Sequence, residues 1–180
     1  MLNEMIFAGF GGQGVLSMGK LIAYAAMKEG KEVSWMPSYG PEMRGGTANC
    51  MVNISDNPIS SPVVNEYDVV VALNLPSLKK FEPKVKKGGI LIWESSTIKE
   101  PPVRTDIQVF PLPAVELANT ELNNVKVMNM LILGALVKII NIVNKESLIV
   151  ALKETLPERH HKLIPLNEKA IDLGMSKISA

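Results

Sequence analysis

Residue types on which many catalytic and metal sites depend are scarce in this sequence. It contains one cysteine, Cys50, and two histidines, His160 and His161, among 180 residues. A lone cysteine excludes an internal disulfide and an iron–sulfur cluster held by four cysteines of this chain. The two histidines are adjacent, so they cannot share one helix face as the ligands of an H-x-x-x-H motif do. The sequence therefore predicts no metal site on this chain.

Charge imbalance and long apolar runs are also absent. The formal net charge is +1, which gives no electrostatic reason to expect nucleic acid or an anionic membrane as a partner. No apolar run reaches about 18 residues, and the first residues lack the basic segment, apolar core and cleavage site of a signal peptide. We therefore expect a cytoplasmic protein. Its length and 47% hydrophobic content predict a single globular domain over residues 1–180.

A glycine-rich turn stands near the start of the chain. Residues 9–15, GFGGQGV, join a short apolar run at 5–10 to a helical pattern at about 13–29. Gly9, Gly11 and Gly14 fit the spacing G-x-G-x-x-G, which predicts a strand, a tight turn and a helix. The free N–H groups at the start of such a helix favour a phosphate or a carboxylate.

The acidic residue expected in a dinucleotide-binding site is missing. A Rossmann site requires an acidic residue at the tip of the second strand, but the predicted second strand at 32–36 has none there. A second glycine-rich segment follows instead, residues 37–46, PSYGPEMRGG. If the strands are parallel, this segment lies at the same sheet edge as the first turn.

Apolar patterning predicts the remaining strands. Alternation over 47–55 indicates a strand with Cys50 on its apolar face, and therefore a buried, inert thiol. Continuous apolar runs at 67–73 and 89–94 are typical of buried parallel strands, and 107–111 is a last strand. The predicted fold class is α/β, a Rossmann-like three-layer sandwich with a mostly parallel sheet.

Three helices are predicted near the C-terminus: residues 127–143, 145–156 and 165–173, the last ended by Gly174. The first is so apolar that it must be buried in the domain or against another subunit. Its Asn129 and Gly134 are positions where a neighbouring backbone could approach closely. This helix and the two glycine-rich segments imply more apolar surface than one small domain need bury, so we expect a large subunit interface, and a homodimer when the chain is isolated.

The second glycine segment carries the most distinctive chemistry. Arg44 is the first of only three arginines, and it lies near Tyr39 and Glu42. An arginine presents a rigid fork suited to a carboxylate or phosphate. Two interpretations stay open: an Arg44–Glu42 or Arg44–backbone contact that orders the loop, and an anion contact.

The two glycine segments, in this order, resemble the paired signatures of the gamma subunit of 2-oxoacid:ferredoxin oxidoreductases. Further similarity lies in residues 60–62, 67–73 and 129–135, so the resemblance covers most of the chain. It implies a subunit of an enzyme that oxidatively decarboxylates a 2-oxoacid, forms an acyl-coenzyme A and reduces ferredoxin. The isolated chain is expected to be inactive.

The resemblance also implies a division of cofactors and partners. Thiamine diphosphate, magnesium and the iron–sulfur clusters are expected on other subunits, with no cofactor on this chain. The expected partners are alpha and beta subunits, with a delta subunit as a further candidate, and ferredoxin reached through the complex. Tyr39, Glu42 and Arg44 form the expected loop facing substrate or coenzyme A, and Gly9, Gly11, Gly12, Gln13 and Gly14 form the glycine-rich turn.

Two other function classes stay open. One is a free-standing dinucleotide-binding oxidoreductase that uses the first turn, against which the missing acid counts. The other is a purely structural assembly module, whose glycines only permit close subunit packing.

Overall fold

A computed structural model of the chain describes residues 1–40 and 45–178. Within these residues the chain forms a six-stranded sheet and six α-helices, together with short 3-10 turns. The strands are β1 (Leu2–Phe10), β2 (Glu32–Tyr39), β3 (Thr47–Ser55), β4 (Tyr67–Ala72), β5 (Val85–Glu94) and β6 (Gln108–Leu112). The helices are α1 (Val15–Lys28), α2 (Leu75–Phe81), α3 (Ala114–Thr120), α4 (Met128–Ile140), α5 (Lys145–Thr155) and α6 (Ile164–Ser176).

The strand order is β2-β3-β1-β4-β5-β6. Strand β3 pairs antiparallel with both β1 and β2, whereas β4, β5 and β6 continue parallel to β1. The predicted mostly parallel α/β fold is confirmed. Because β2 runs in the same direction as β1, the carboxyl ends of both strands lie at one edge of the sheet.

The helices cover the two faces of the sheet unequally. Helices α1, α3, α4, α5 and α6 enclose the larger core on one face, which includes Phe7, Cys50 and Ile92 from the strands. Helix α2 covers a smaller core on the other face, around Ile6, Val70 and Leu91.

The two helical connections run in opposite directions along the sheet. The chain leaves β1 through α1 toward the β2 edge and leaves β4 through α2 toward the β6 edge. The change of direction falls between β1 and β4, where open α/β sheets form ligand crevices.

The apolar helix predicted at 127–143 is α4, and this chain buries it. All residues from Met128 to Val137 are buried, and the helix ends where Asn141 adopts the left-handed conformation at φ 47°. Helix α6 packs against it. Of the two sequence interpretations, burial inside the domain is therefore correct, and α4 gives no support for a subunit interface.

Gly174 does not end the last helix as predicted. It lies inside α6, where an added Cβ would overlap the carbonyl oxygen of Leu131 on α4. Gly134 on α4 faces the backbone of Ile171 on α6 in the same way, which confirms its predicted close approach. The two glycines let α4 and α6 cross at backbone contact, so Gly174 serves helix packing and not chain termination.

Strand β2 is longer than predicted, because it continues through Pro37 to Tyr39. Proline lacks a backbone N–H, but β2 is the edge strand, where such a residue is tolerated. Tyr39 is therefore the last residue of a strand. None of the helices among the described residues is long and apolar enough to cross a membrane.

Candidate functional site

The first glycine segment forms a tight turn between β1 and α1. Gly12 and Gly14 adopt φ values of 101° and 78°, in the left-handed region that favours glycine. An added Cβ on Gly14 would also overlap the side chain of Asn129 at the start of α4. Helix α1 begins at Val15 after Gly14, which has no side chain to cap it, and no described side chain accepts a hydrogen bond from the N–H groups of its first turn. Such N–H groups favour an anionic ligand.

Gln13 ties the turn to the sheet. Its Oε1 accepts a hydrogen bond from the backbone N–H of Phe10 at 2.6 Å, and its Nε2 donates to the carbonyl of Leu73 at 3.2 Å. These bonds join the carboxyl end of β1 to the residue that follows β4. Among the predicted turn residues, Gln13 therefore acts through its side chain, which links the ends of β1 and β4. The neighbouring glycines contribute only backbone groups.

The structure brings the two glycine segments together, as the parallel strands predict. The N–H of Gly11 donates to the carbonyl of Gly46 at 2.8 Å, and the N–H of Gly45 donates to the carbonyl of Gly11 at 3.3 Å. Ala48 on β3 pairs with Gly9 on one side and with Tyr39 on the other. Glu42 and Arg44 lie outside the described residues, so their predicted role stays a prediction.

A cleft of about 310 Å³ lies between the glycine turn and the end of β2. We call it the glycine cleft; it is lined by Phe10, Gly11, Gly12, Gly14, Val15, Leu16, Ser17, Tyr39 and Ala48. Its volume is at the lower end of the range for small-molecule sites, about 300–1,000 Å³. Among these described residues the polar side chains are the hydroxyls of Ser17 and Tyr39, and Tyr39 is 58% exposed.

The cleft offers hydrogen-bond donors and no negative charge from the described residues that line it. Its backbone N–H groups and the positive end of the α1 dipole favour an anion. Ser17 was not predicted as a site residue. Its position in the first turn of the helix after a glycine turn is the signal that would have identified it.

Cys50 lies behind the cleft in the core. It is fully buried, and its Sγ is 3.5 Å from the carbonyl oxygen of Val15. Burial raises the pKa of the Cys50 thiol to about 12, despite hydrogen bonding with Trp35 and Gly19, which lowers it. The predicted burial of the thiol is confirmed, and its raised pKa supports the prediction that it is unreactive.

The two histidines lie apart from the glycine cleft, in a 3-10 turn at Glu158–Leu163. The Nε2 of His161 is 2.8 Å from the carbonyl oxygen of Leu156, and His160 accepts a hydrogen bond from Arg159. Among the described residues, no three His, Cys, Asp or Glu side chains are grouped so that they could hold a metal ion.

The sequence is similar to those of known oxidoreductase subunits. The family model described as "pyruvate ferredoxin/flavodoxin oxidoreductase" matches residues 4–177. Ketoisovalerate oxidoreductase subunit VorA of Methanothermobacter thermautotrophicus is 40% identical over 168 residues, covering 93% of this chain and 34% of VorA. The 2-oxoglutarate synthase subunit KorC of Methanocaldococcus jannaschii is 36% identical over 162 residues, covering 88% of this chain and 86% of KorC.

A solved structure shares the whole fold. The gamma subunit of a keto/oxoacid ferredoxin oxidoreductase from Geobacter sulfurreducens superposes with a TM-score of 0.83 at 31% identity, covering 97% of each chain. The chain thus spans about a third of VorA but nearly all of this separate subunit.

Proposed function

Since the chain belongs to the pyruvate ferredoxin/flavodoxin oxidoreductase family, we propose that it is the gamma-type subunit of a 2-oxoacid:ferredoxin oxidoreductase. The complex decarboxylates a 2-oxoacid oxidatively, transfers the acyl group to coenzyme A and passes the electrons to ferredoxin. The observation that carries the proposal is the joining of the two glycine segments at one sheet edge, in a chain that the family model matches from residue 4 to 177.

The residues of this chain do not fit an iron–sulfur cluster. Such a cluster requires several cysteine thiolates, whereas Cys50 is alone, buried and protonated by its raised pKa. The clusters therefore belong to partner subunits, and we assign thiamine diphosphate and magnesium to partner subunits of the alpha and beta type as well. Electrons reach ferredoxin through those subunits.

The contribution of this chain is a wall of the coenzyme A site. The glycine cleft presents backbone donors and a helix N-terminus, which suit the phosphate groups or the thioester region of an anionic ligand. Tyr39 ends β2 at the same edge, and the other two predicted site residues, Glu42 and Arg44, follow it in the sequence. An arginine there adds a charge-assisted hydrogen bond to such a ligand.

The test is purification of the native complex and its assay with coenzyme A and ferredoxin. Pyruvate, 2-oxoglutarate, branched-chain 2-oxoacids and indolepyruvate serve as substrates in turn. We expect this chain to co-elute with turnover of at least one of them, and the chain alone to be inactive, without iron, sulfide or thiamine diphosphate. Stoichiometric iron and sulfide in the isolated chain would contradict the proposal.

A titration of the isolated chain with NAD and FAD tests the alternative of a free-standing dinucleotide enzyme. We expect no specific binding, because β2 ends in Ser38 and Tyr39 and supplies no acid for the ribose hydroxyls. Saturable binding of either cofactor at micromolar concentration would favour the alternative.

A further inference from the structure

A second cleft, of about 360 Å³, opens among the helices on the larger side of the sheet. It lies between α1, the start of α4, the end of α5, the 3-10 turn Glu158–Leu163 and α6. Its apolar lining includes Leu21, Val127, Met130, Leu152, Leu156 and Leu163. Ser17 lines both this cleft and the glycine cleft.

The polar lining of this cleft carries charge of one sign. Lys20 and Lys126 line it together with the imidazole of His160, and no aspartate or glutamate is among the described residues that do. Neither lysine forms an ion pair with a described residue. Other lysines of this chain, such as Lys28 and Lys86, are paired with acids. We call this cavity the basic cleft. Basic groups around a cavity with apolar walls produce a focused positive potential.

Asn129 adds a polar group to the cleft. The residue is 9% exposed, lines the basic cleft and forms no hydrogen bond with another described residue. Its side chain packs directly over the Cα of Gly14, which holds it in position. The amide is therefore fixed beside the cleft, where it can hydrogen-bond to a ligand.

We propose that the basic cleft binds a small organic anion, with a carboxylate or phosphate group on an apolar body. Lys20 and Lys126 contact the anionic group, the leucine-rich lining packs against the body, and the Asn129 amide hydrogen-bonds to the ligand. The volume is sufficient for a ligand of this size. The site is separate from the proposed coenzyme A wall, and its argument does not depend on the family activity.

The experiment is an NMR titration of the full chain, uniformly labelled with ¹⁵N, using three probes of similar shape. Phenyl phosphate and benzoate are anionic, and benzyl alcohol is neutral. We expect saturable shifts of the amides of Val127, Asn129 and Met130 with at least one anion, and binding of benzyl alcohol weaker by about tenfold or more, because it lacks the charge-assisted contacts. The stronger of the two anions identifies phosphate or carboxylate as the preferred group.

Matched variants test which lysines bind the anion. Lys126→Gln and Lys20→Gln remove one exposed cation each, and we expect each to weaken anion binding about fivefold to tenfold. Lys169→Gln is the control, since it removes an exposed lysine of α6 that does not line the cleft. Asn129→Leu tests the amide, with a urea unfolding curve to show that the variant remains folded.

Four outcomes would overturn the proposal. Equal affinity for phenyl phosphate and benzyl alcohol would show an apolar groove without anion selectivity. Equal weakening by Lys169→Gln would show a general surface-charge effect. Shifts confined to the glycine turn and Tyr39 would place the ligand in the glycine cleft. Absence of any saturable shift at about 10 mM probe would exclude even a site of millimolar affinity.

Discussion

Glu94 shows how one buried carboxylate organises the carboxyl edge of the sheet. It is 1% exposed at the end of β5. Its oxygens accept hydrogen bonds from both N–H and hydroxyl groups of Ser96 and Thr97, and from the N–H of Val115 in α3 at 3.2 Å. Burial raises the pKa of Glu94, but these hydrogen bonds outweigh burial, and the net pKa lies below its ordinary value. The carboxylate thus joins the strand, its loop and the next helix.

We predict that Glu94→Gln lowers the free energy of unfolding at pH 7 by about 1.5–3 kcal/mol, the range for hydrogen bonds to a charged group. The glutamine replaces one acceptor oxygen by an NH₂ donor that faces other donors. Urea unfolding of both proteins measures the difference, and Glu158→Gln, at an exposed position, is the control.

The same residue predicts a pH dependence. Because the folded pKa lies below the unfolded one, the carboxylate stabilises the fold above the unfolded pKa, about 4.3 for glutamate. That stabilisation is lost as the pH falls through the folded pKa. The difference between wild type and Glu94→Gln should therefore narrow in acid. A constant difference from pH 7 down to pH 3 would contradict the role assigned to the charge.

Arg44 carries the prediction for the coenzyme A wall. In the assembled enzyme, Arg44→Ala should reduce turnover or raise the Michaelis constant for coenzyme A or the 2-oxoacid by roughly tenfold to a hundredfold, because a charge-assisted hydrogen bond of about 1.5–3 kcal/mol is lost. Far-UV circular dichroism and subunit assembly should stay unchanged. Arg159→Ala, in the 3-10 turn Glu158–Leu163, is the matched control.

Gly11→Val separates this effect from damage to the fold. Gly11 exchanges backbone hydrogen bonds with both Gly45 and Gly46, so a branched side chain there should impair folding or packing. If the assembled Arg44→Ala enzyme keeps the wild-type turnover and both Michaelis constants, Arg44 has no role in the site.

At the scale of elements, the crossing of α4 and α6 rests on two glycines. In an ordinary helix, Gly→Ala is stabilising by roughly 0.5–1 kcal/mol. At Gly174 the added methyl group would overlap the carbonyl of Leu131, so the two helices must separate. We predict that Gly174→Ala is destabilising by about 1–3 kcal/mol, as in other overpacked cores. Urea unfolding measures the change in stability, with Lys169→Ala on the exposed face of α6 as the control. Equal stability of Gly174→Ala and wild type would contradict the role assigned to Gly174 in the helix crossing.

The sequence predicts some elements well and others poorly, for physical reasons. The strand at 47–55 was predicted with its observed bounds, because alternation of Ala48, Cys50, Val52 and Ile54 reflects one buried face. Gly174 was misread because a glycine near a helix end has the same local pattern whether it stops the helix or admits a neighbouring backbone. Only the tertiary contact with Leu131 distinguishes the two.

The candidate site was likewise predicted only in part. Parallel strand direction predicted that the two glycine segments meet, and the hydrogen bonds of Gly11 show that they do. The insertion of β3 between β2 and β1 was not predicted, since strand order depends on pairing between segments that lie far apart in the sequence. The basic cleft could not be predicted either, because Lys20, Lys126 and His160 are brought together only by helix packing.

At the scale of the whole molecule, the same domain occurs in two arrangements. It makes up 34% of the longer VorA chain, whereas it corresponds to nearly all of the Geobacter sulfurreducens gamma subunit. A covalent connection holds a fused domain at a high effective concentration beside the rest of its chain. A separate subunit has no such connection, so its interface must provide the affinity. Such interfaces usually bury more than about 1,000 Å² in total.

In this chain, α4 is not available for such an interface, because its residues from Met128 to Val137 are buried inside the domain. Exposed large apolar side chains are instead found on the edge strand β2, where Trp35 and Tyr39 are 39% and 58% exposed. The prediction of a homodimer in the isolated chain therefore loses its main support and rests on this strand. A double variant, Trp35→Ser with Tyr39→Ser, tests whether β2 drives self-association in gel filtration with light scattering.

We predict that in native extract the chain elutes with its partner subunits and not as a free protein of 19.6 kDa. An affinity tag at the N-terminus suits the pull-down, because Met1 is 81% exposed and lies beside Asp56 at the sheet edge opposite the glycine cleft. Partners that carry iron and thiamine diphosphate should be recovered in a fixed ratio to the chain, and salt washes should not release them if the interface is mainly apolar. Recovery of the free chain alone under gentle conditions would show that it acts outside a complex, and would remove the basis for assigning it a subunit role.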